Sequence, residues 1–192
     1  MSSEFSIFEL FVKMLRKLAG SGRRTFVFVL GNHELWNFPG LSVDEIVDKY
    51  RTVLKENGMY LLHNDLFYRN ESDDMGIIPY DELIQSDNPA ILEKLRCTRL
   101  VILGGLGFSG YNEEFNANDG VYRATVDRNT EIQESKKFEQ LYDKLTDVLA
   151  KKNTVIFTHT PKKDWCVDAK CHDNFVSVSY THLRAHETSQ DL

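Results

Sequence analysis

Three segments of this chain are apolar on both faces and rich in residues that favour extended backbone: Thr25-Phe26-Val27-Phe28-Val29-Leu30, Leu100-Val101-Ile102-Leu103 and Val155-Ile156-Phe157. A strand with two apolar faces has to lie between layers, so the three predict buried strands of a covered sheet. Each runs straight into a polar or glycine-rich segment: Gly31-Asn32-His33-Glu34, Gly104-Gly105, and Thr158-His159-Thr160-Pro161. Those segments read as turns at strand ends.

Between the strands lie helical patterns. Phe5, Phe8, Phe11, Val12, Leu15 and Leu18 recur at three- and four-residue steps, an amphipathic stripe that ends at Gly20 and Gly22. Ser42 as N-cap, with Glu45 three residues on, opens a second helix whose face is Ile46, Tyr50, Val53 and Leu54 and whose stop is Asn57-Gly58. Short strands are predicted at Met59 to Leu62 and Leu66 to Tyr68, joined around Asn64-Asp65. The polar stretch Asn70 to Pro89 predicts surface loop with a short helical piece, followed by a helix over Ala90 to Leu95. A long charged helix is expected from about Glu131 to Ala150. Strands alternating with helices place the chain in the α/β class, with room for antiparallel edges.

Composition narrows the function classes. The 192 residues are 42% hydrophobic and 27% charged, enough for one compact core. With 23 Lys and Arg against 29 Asp and Glu the net charge is -6, which disfavours a nucleic-acid or anionic-lipid coat protein. No apolar run approaches the roughly 20 residues that span a bilayer, and no secretory leader pattern opens the chain. Cys97, Cys166 and Cys171 are odd in number and irregular in spacing, so a reducing cytoplasm is expected.

In α/β sheets ligands bind at the carboxyl ends of strands, where loops from neighbouring strands converge, so three such ends predict one site. Asn and His oxygen and nitrogen donors suit Mn, Fe or Zn. A further His could give a proton to a leaving oxygen, and adjacent glycines admit close approach.

Gly31-Asn32-His33-Glu34 after a strand, with Ile156-Phe157-Thr158-His159-Thr160-Pro161 far downstream, resembles the calcineurin-like metallophosphoesterase superfamily in its prokaryotic soluble branch. The resemblance spans roughly Ser2 to Val176. It implies a partial metallophosphoesterase-type α/β/β/α layered sandwich. It also implies hydrolysis of a phosphomonoester or phosphodiester by water activated between two divalent metal ions, Mn, Fe or Zn. Under it His33 is the catalytic histidine, Asn32 and His159 are metal ligands, and Glu34 orients His33 or the loop. The substrate would be a small-molecule or nucleotide phosphoester.

The chain departs from the family pattern at both ends. The upstream Asp-x-His and Gly-Asp-x-x-Asp/Asn strand ends are absent, as is the final Gly-His-x-His. Residues 1–176 therefore read as a partial phosphoesterase domain whose missing strands would leave apolar edges exposed. Residues 177–192, beginning Ser177-Val178-Ser179-Tyr180-Thr181-His182, resemble a translated adapter and read as a non-native or disordered tail. In an ungapped alignment His182 stands for the second His of the last motif and Tyr180 replaces the first. The competing reading is a non-catalytic scaffold or binding protein that keeps the phosphoesterase sheet; a nuclease is disfavoured by the acidic balance. Cys166, Cys171 and His172 lack a fourth ligand and standard spacing for zinc. Lys162, Lys163, Trp165, Tyr111 and Asn112 are candidate substrate contacts. Nothing in the sequence sets the oligomeric state.

Overall fold

A computed structural model describes residues 3–20, 24–108 and 128–162. The elements run α1 (Ser3–Ala19), β1 (Val27–Phe28), α2 (Asn32–Trp36), α3 (Val43–Glu56), β2 (Tyr60–Leu61), β3 (Asp65–Asn70) and β4 (Met75–Ile78). They continue with α4 (Tyr80–Gln85), α5 (Asn88–Lys94), β5 (Thr98–Gly107), α6 (Arg128–Leu149) and β6 (Thr154–Thr160). β1 and β2 pair in parallel, and a second sheet has the order β4-β3-β5-β6. In the second sheet β3 is antiparallel to both β4 and β5, while β5 and β6 are parallel. The chain is a mixed α/β protein, as the alternation of patterns predicts.

The apolar residues form two cores, and Leu106 of β5 belongs to the first. α1 and α3 pack on the first through Phe5, Val12, Ile46, Val47, Tyr50 and Leu54, all buried with Leu61 of β2. α3 starts where the sequence says: Ser42 Oγ accepts from Glu45 N–H, and Glu45 Oε2 accepts the Ser42 N–H at 2.8 Å. That closes the capping box. Phe5 and Phe8 meet the Tyr50 ring edge-on at centroid separations of 5.0 and 4.8 Å. Burial pushes the Tyr50 hydroxyl up to about 12, against the hydrogen bond from Asn37 Nδ2 at 3.3 Å. The second core joins Leu66, Val101 and Leu103 of the sheet to Ile91 of α5 and to Phe138, Leu141, Leu145 and Val148 of α6.

Four expectations are corrected. The 25–30 segment pairs as strand only at Val27–Phe28, which are half-buried rather than enclosed. Gly104 and Gly105 do not turn the chain: β5 continues through them to Gly107, and β6 continues through His159 to Thr160. β6 is not covered on both faces, since Val155 and Phe157 are 47% and 39% exposed. The polar 70–89 stretch contains a strand, β4, that forms a hairpin with β3 in the register Arg69↔Met75 and Leu66↔Ile78. Asp73 turns that hairpin at φ 69° and accepts from Arg69.

The β5 glycines persist as strand because neither has room for a side chain. A Cβ on Gly104 would stand 2.7 Å from the Leu62 side chain, on the first-sheet side; one on Gly105 would stand 2.6 Å from Asn64 Oδ1 and 2.8 Å from the Phe138 ring of α6. Gly107 has φ +93°, and a Cβ there would collide with the Thr160 carbonyl oxygen, so both conformation and space demand glycine. Gly107→Ala is expected to lower the unfolding free energy by about 3 kcal/mol, read in a urea melt, through the combined backbone strain and overpacking. A loss below about 0.5 kcal/mol would show that β5 and β6 are not paired at this point.

Candidate functional site

Leu30, buried at 3% exposure, anchors the chain just before the first candidate segment. Gly31 then takes an extended conformation, φ -108° and ψ -172°, and caps α2. Gly31-Asn32-His33-Glu34 is thus the first turn of a short helix. Glu34 Oε2 accepts the Gly31 N–H at 2.8 Å, the reach-back half of a capping box, so the carboxylate holds the helix start in place. Leu35, fully buried, fixes the other side of this turn, and His33 is exposed. The Asn32 side chain lies outside the described residues.

His159 arrives from β6, more than a hundred residues away in sequence. Its neighbours Thr158 and Thr160 are in register with Gly105 and Gly107 of β5. Its imidazole packs on the Gly31 α-carbon: a Cβ there would lie 2.9 Å from His159 Cε1, 3.0 Å from His159 Nδ1 and 3.1 Å from Glu34 Oε2. Three of the polar features singled out in the sequence, Gly31, Glu34 and His159, therefore meet at one place. Because the Gly31 backbone angles are open to any residue, what this position requires of glycine is space. Gly104 and Gly105, expected at the same site, instead line the interior of the sheet packing.

The donor set at this place is small. Glu34 already spends one oxygen on the Gly31 amide, and no group of three or more His, Cys, Asp or Glu side chains suited to a metal occurs among the described residues. Those residues do not by themselves make the ligand set of a two-metal centre. Lys162 holds its ammonium over the Phe108 and Tyr142 rings, 5.9 and 5.8 Å from their centroids. Tyr111, Asn112, Lys163, Trp165, Cys166, Cys171, His172, Tyr180, His182 and the 177–192 tail lie outside the described residues. No helix among the described residues is long and apolar enough to cross a membrane.

A second polar cluster escaped the sequence reading. It lines a cavity of about 780 Å³ bounded by α3, α4 and α6, and its centre is His63. His63 is 9% exposed, and its Nε2 stands 3.2 Å from Glu134 Oε2, while Glu134 Oε1 accepts from Lys137 Nζ at 2.7 Å. Buried Asp65 accepts from Arg51 Nη2, the His63 N–H and the Tyr80 N–H at 3.2, 3.0 and 3.2 Å. Burial pushes the Glu134 carboxyl up, but the hydrogen bonds from His63 and Lys137 and their charges outweigh it and leave it below the ordinary 4.5. The same bond to Glu134 raises the Lys137 ammonium. The signal was the polar run His63-Asn64-Asp65 directly after the apolar strand residues, which resembles an ordinary turn.

Comparison of the chain with protein-family models, with curated proteins and with solved structures finds no match.

Two outcomes are expected. Gly31→Ala should leave the chain folded at a cost of about 1–2 kcal/mol, because its backbone is unstrained and only side chains must give way. The His159 Cε1–H resonance should shift in the variant; an unmoved resonance would mean that His159 does not pack on Gly31. Glu134→Gln should cost about 2 kcal/mol at neutral pH. A lowered folded-state pKa stabilises above the unfolded value, here 4.5, and the contribution disappears as pH falls through the folded value. The gap between wild type and Glu134→Gln should therefore close on acidification below about pH 4.5. A gap constant from pH 7 to pH 3 would remove the carboxylate from the account.

Proposed function

We propose that this chain is the central part of a metal-dependent phosphoester hydrolase of the calcineurin-like type, acting in the cytoplasm on a small-molecule or nucleotide phosphoester. The observation that carries the reading is the contact of the His159 imidazole with Gly31, at the start of the Asn32-His33-Glu34 helical turn. A chance turn motif has no reason to meet a histidine from a strand more than a hundred residues away. Two facing sheets, one packed by α1 and α3 and the other by α6, also suit the finer α/β/β/α layering.

In this reading Glu34 holds the Gly31 amide and so fixes the first turn of α2, from which exposed His33 can give a proton to a departing oxygen. Gly31 leaves space for His159, which with Asn32 would contribute metal ligands. Two divalent ions, when bound, supply a hydroxide nucleophile and polarise the phosphoryl group. The described residues do not by themselves make a two-metal donor set.

The test is metal stoichiometry of the purified chain loaded with manganese, followed by turnover of p-nitrophenyl phosphate and bis-p-nitrophenyl phosphate. Asn32→Ala and His159→Ala are expected to lose bound manganese. His33→Ala should keep it and lose about a hundredfold or more in any turnover observed. A folded chain that takes up no manganese, or that binds it equally in all variants, overturns the metal-ligand assignment and leaves the non-catalytic scaffold as the better account.

A further inference from the structure

Helix α1 carries two apolar stripes, and the core uses one of them. Phe5, Phe8, Val12 and Leu15 recur at steps of three, four and three and pack into the first core. Ile7, Phe11, Met14 and Leu18 recur at steps of four, three and four along another face, where they are between 44% and 69% exposed, with Leu10 beside them. Alternating steps of three and four keep side chains on one side of a helix and are the spacing by which helices pair. A contiguous exposed stripe of large apolar side chains marks an interaction surface.

What the stripe fits is set by its two ends. Beside its amino-terminal half lies a groove of about 420 Å³, walled by Ile7, Phe8 and Phe11 of α1 and by Phe28, Val29 and Leu30 at the end of β1. Its rim is acidic, from Glu4 and Glu34. The other end of the stripe carries the complement: an exposed apolar side chain, Leu18, next to Arg16 and Lys17 in the last turn. A helix of 17 residues is about 25 Å long and cannot fold its own ends together, but two copies related by a two-fold axis bring each end to the other. Charge sets the direction. Glu4 and Glu9 lie in the amino-terminal half of α1, and Lys13, Arg16 and Lys17 in the carboxyl-terminal half. Antiparallel helices therefore set unlike halves together, and parallel helices like halves.

We infer that the chain forms a two-fold symmetric dimer through antiparallel α1 helices, with Leu18 of each copy seated in the groove of the other beside Ile7. Residues 7 and 18, and residues 11 and 14, lie equally far from the middle of the stripe, so Phe11 of one copy meets Met14 of the second. That aromatic–sulfur contact is made twice across the axis. An anionic lipid surface would accept the apolar stripe but would be opposed by the acidic rim and by the net charge of -6. Neither Gly31 nor His159 lines the groove, so the dimer does not rest on the hydrolase reading.

The experiment is sedimentation velocity of the full chain across a concentration series, which is expected to show monomer and dimer in equilibrium and no larger species. Met14→Glu and Leu18→Glu, both at exposed positions, should each weaken the dimer by about tenfold or more, with the far-ultraviolet circular dichroism of the wild type retained. Orientation is read by disulfide trapping in a background in which Cys97, Cys166 and Cys171 are replaced by serine. A mixture of the Ile7→Cys and Leu18→Cys chains should give the mixed cross-link, and neither chain should cross-link with itself. Self-cross-linking of each single variant would mean a parallel pair and overturn the inference. So would a monomer at every concentration, open-ended association, or a dimer that Met14→Glu and Leu18→Glu leave intact.

Discussion

The close approach of layers at the glycines of β5 is the constraint on which the rest of the structure depends. Gly104 faces Leu62 and Val29, the residues that directly follow β2 and β1, and Gly105, on the opposite side, faces Asn64 and Phe138 of α6. Two consecutive residues of one strand thus make contact with both neighbouring layers, and each contact is closer than any side chain would allow. Because the interior is packed at crystal-like density, a methyl group at either position would have to move a whole layer. The spacing so fixed brings the end of β1 to the end of β6, which is how Gly31 comes to rest against His159.

The outer helices are held by charged groups set on backbone carbonyls. Lys144 of α6 donates to the carbonyls of Leu83, Ile84 and Ser86 at 2.7, 2.6 and 2.6 Å, at the carboxyl end of α4. Those oxygens have no partner within the helix, and a cation there also complements the helix dipole. At the other side of α6 the Glu134 carboxylate meets His63, just beyond β2. The long helix is therefore pinned at Glu134 and Lys144 by ionised groups, while Phe138, Leu141, Leu145 and Val148 along it supply the apolar burial. Directional polar contacts fix where the helix lies; burial supplies most of the driving force.

Local signals in the sequence were enough for the helices. The Ser42–Glu45 capping box, the Asn57-Gly58 stop and the periodic faces of α1, α3 and α6 are chemistry that neighbouring residues settle among themselves. Strand limits depend on partners, and there the sequence ran short. Gly104-Gly105 looks like a turn to any rule that reads glycine locally, because the Leu62 and Phe138 side chains that make glycine obligatory lie far off in sequence. β4 was hidden for a similar reason: Met75-Gly76-Ile77-Ile78 is short and set among polar residues, and becomes a strand only through its pairing with β3. Of the candidate site, the meeting of Gly31, Glu34 and His159 was legible because each is a polar interruption of an apolar pattern. His63 was not, because its role rests on Glu134, 71 positions along the chain.

The alternation of β6 links its apolar surface to the candidate site. Val155, Phe157 and His159 alternate onto one face of the strand, and Val155 and Phe157 are exposed there while His159 lies half-buried against Gly31. α1 shows a comparable surplus: Phe5 and Val12 are buried, but Ile7, Leu10, Met14 and Leu18 are 63%, 66%, 57% and 69% exposed. A helix this apolar on two faces cannot satisfy both against a single sheet, since the sheet covers only the stripe it touches. The half-buried strand residues and the two-faced helix are therefore one observation. The apolar pattern asks for more burial than the described residues supply, and the His159 contact stands at the edge of that uncovered surface. Its geometry is set from one side by the Gly31 backbone and from the other by the β5 register, so it does not depend on what lies over Val155 and Phe157.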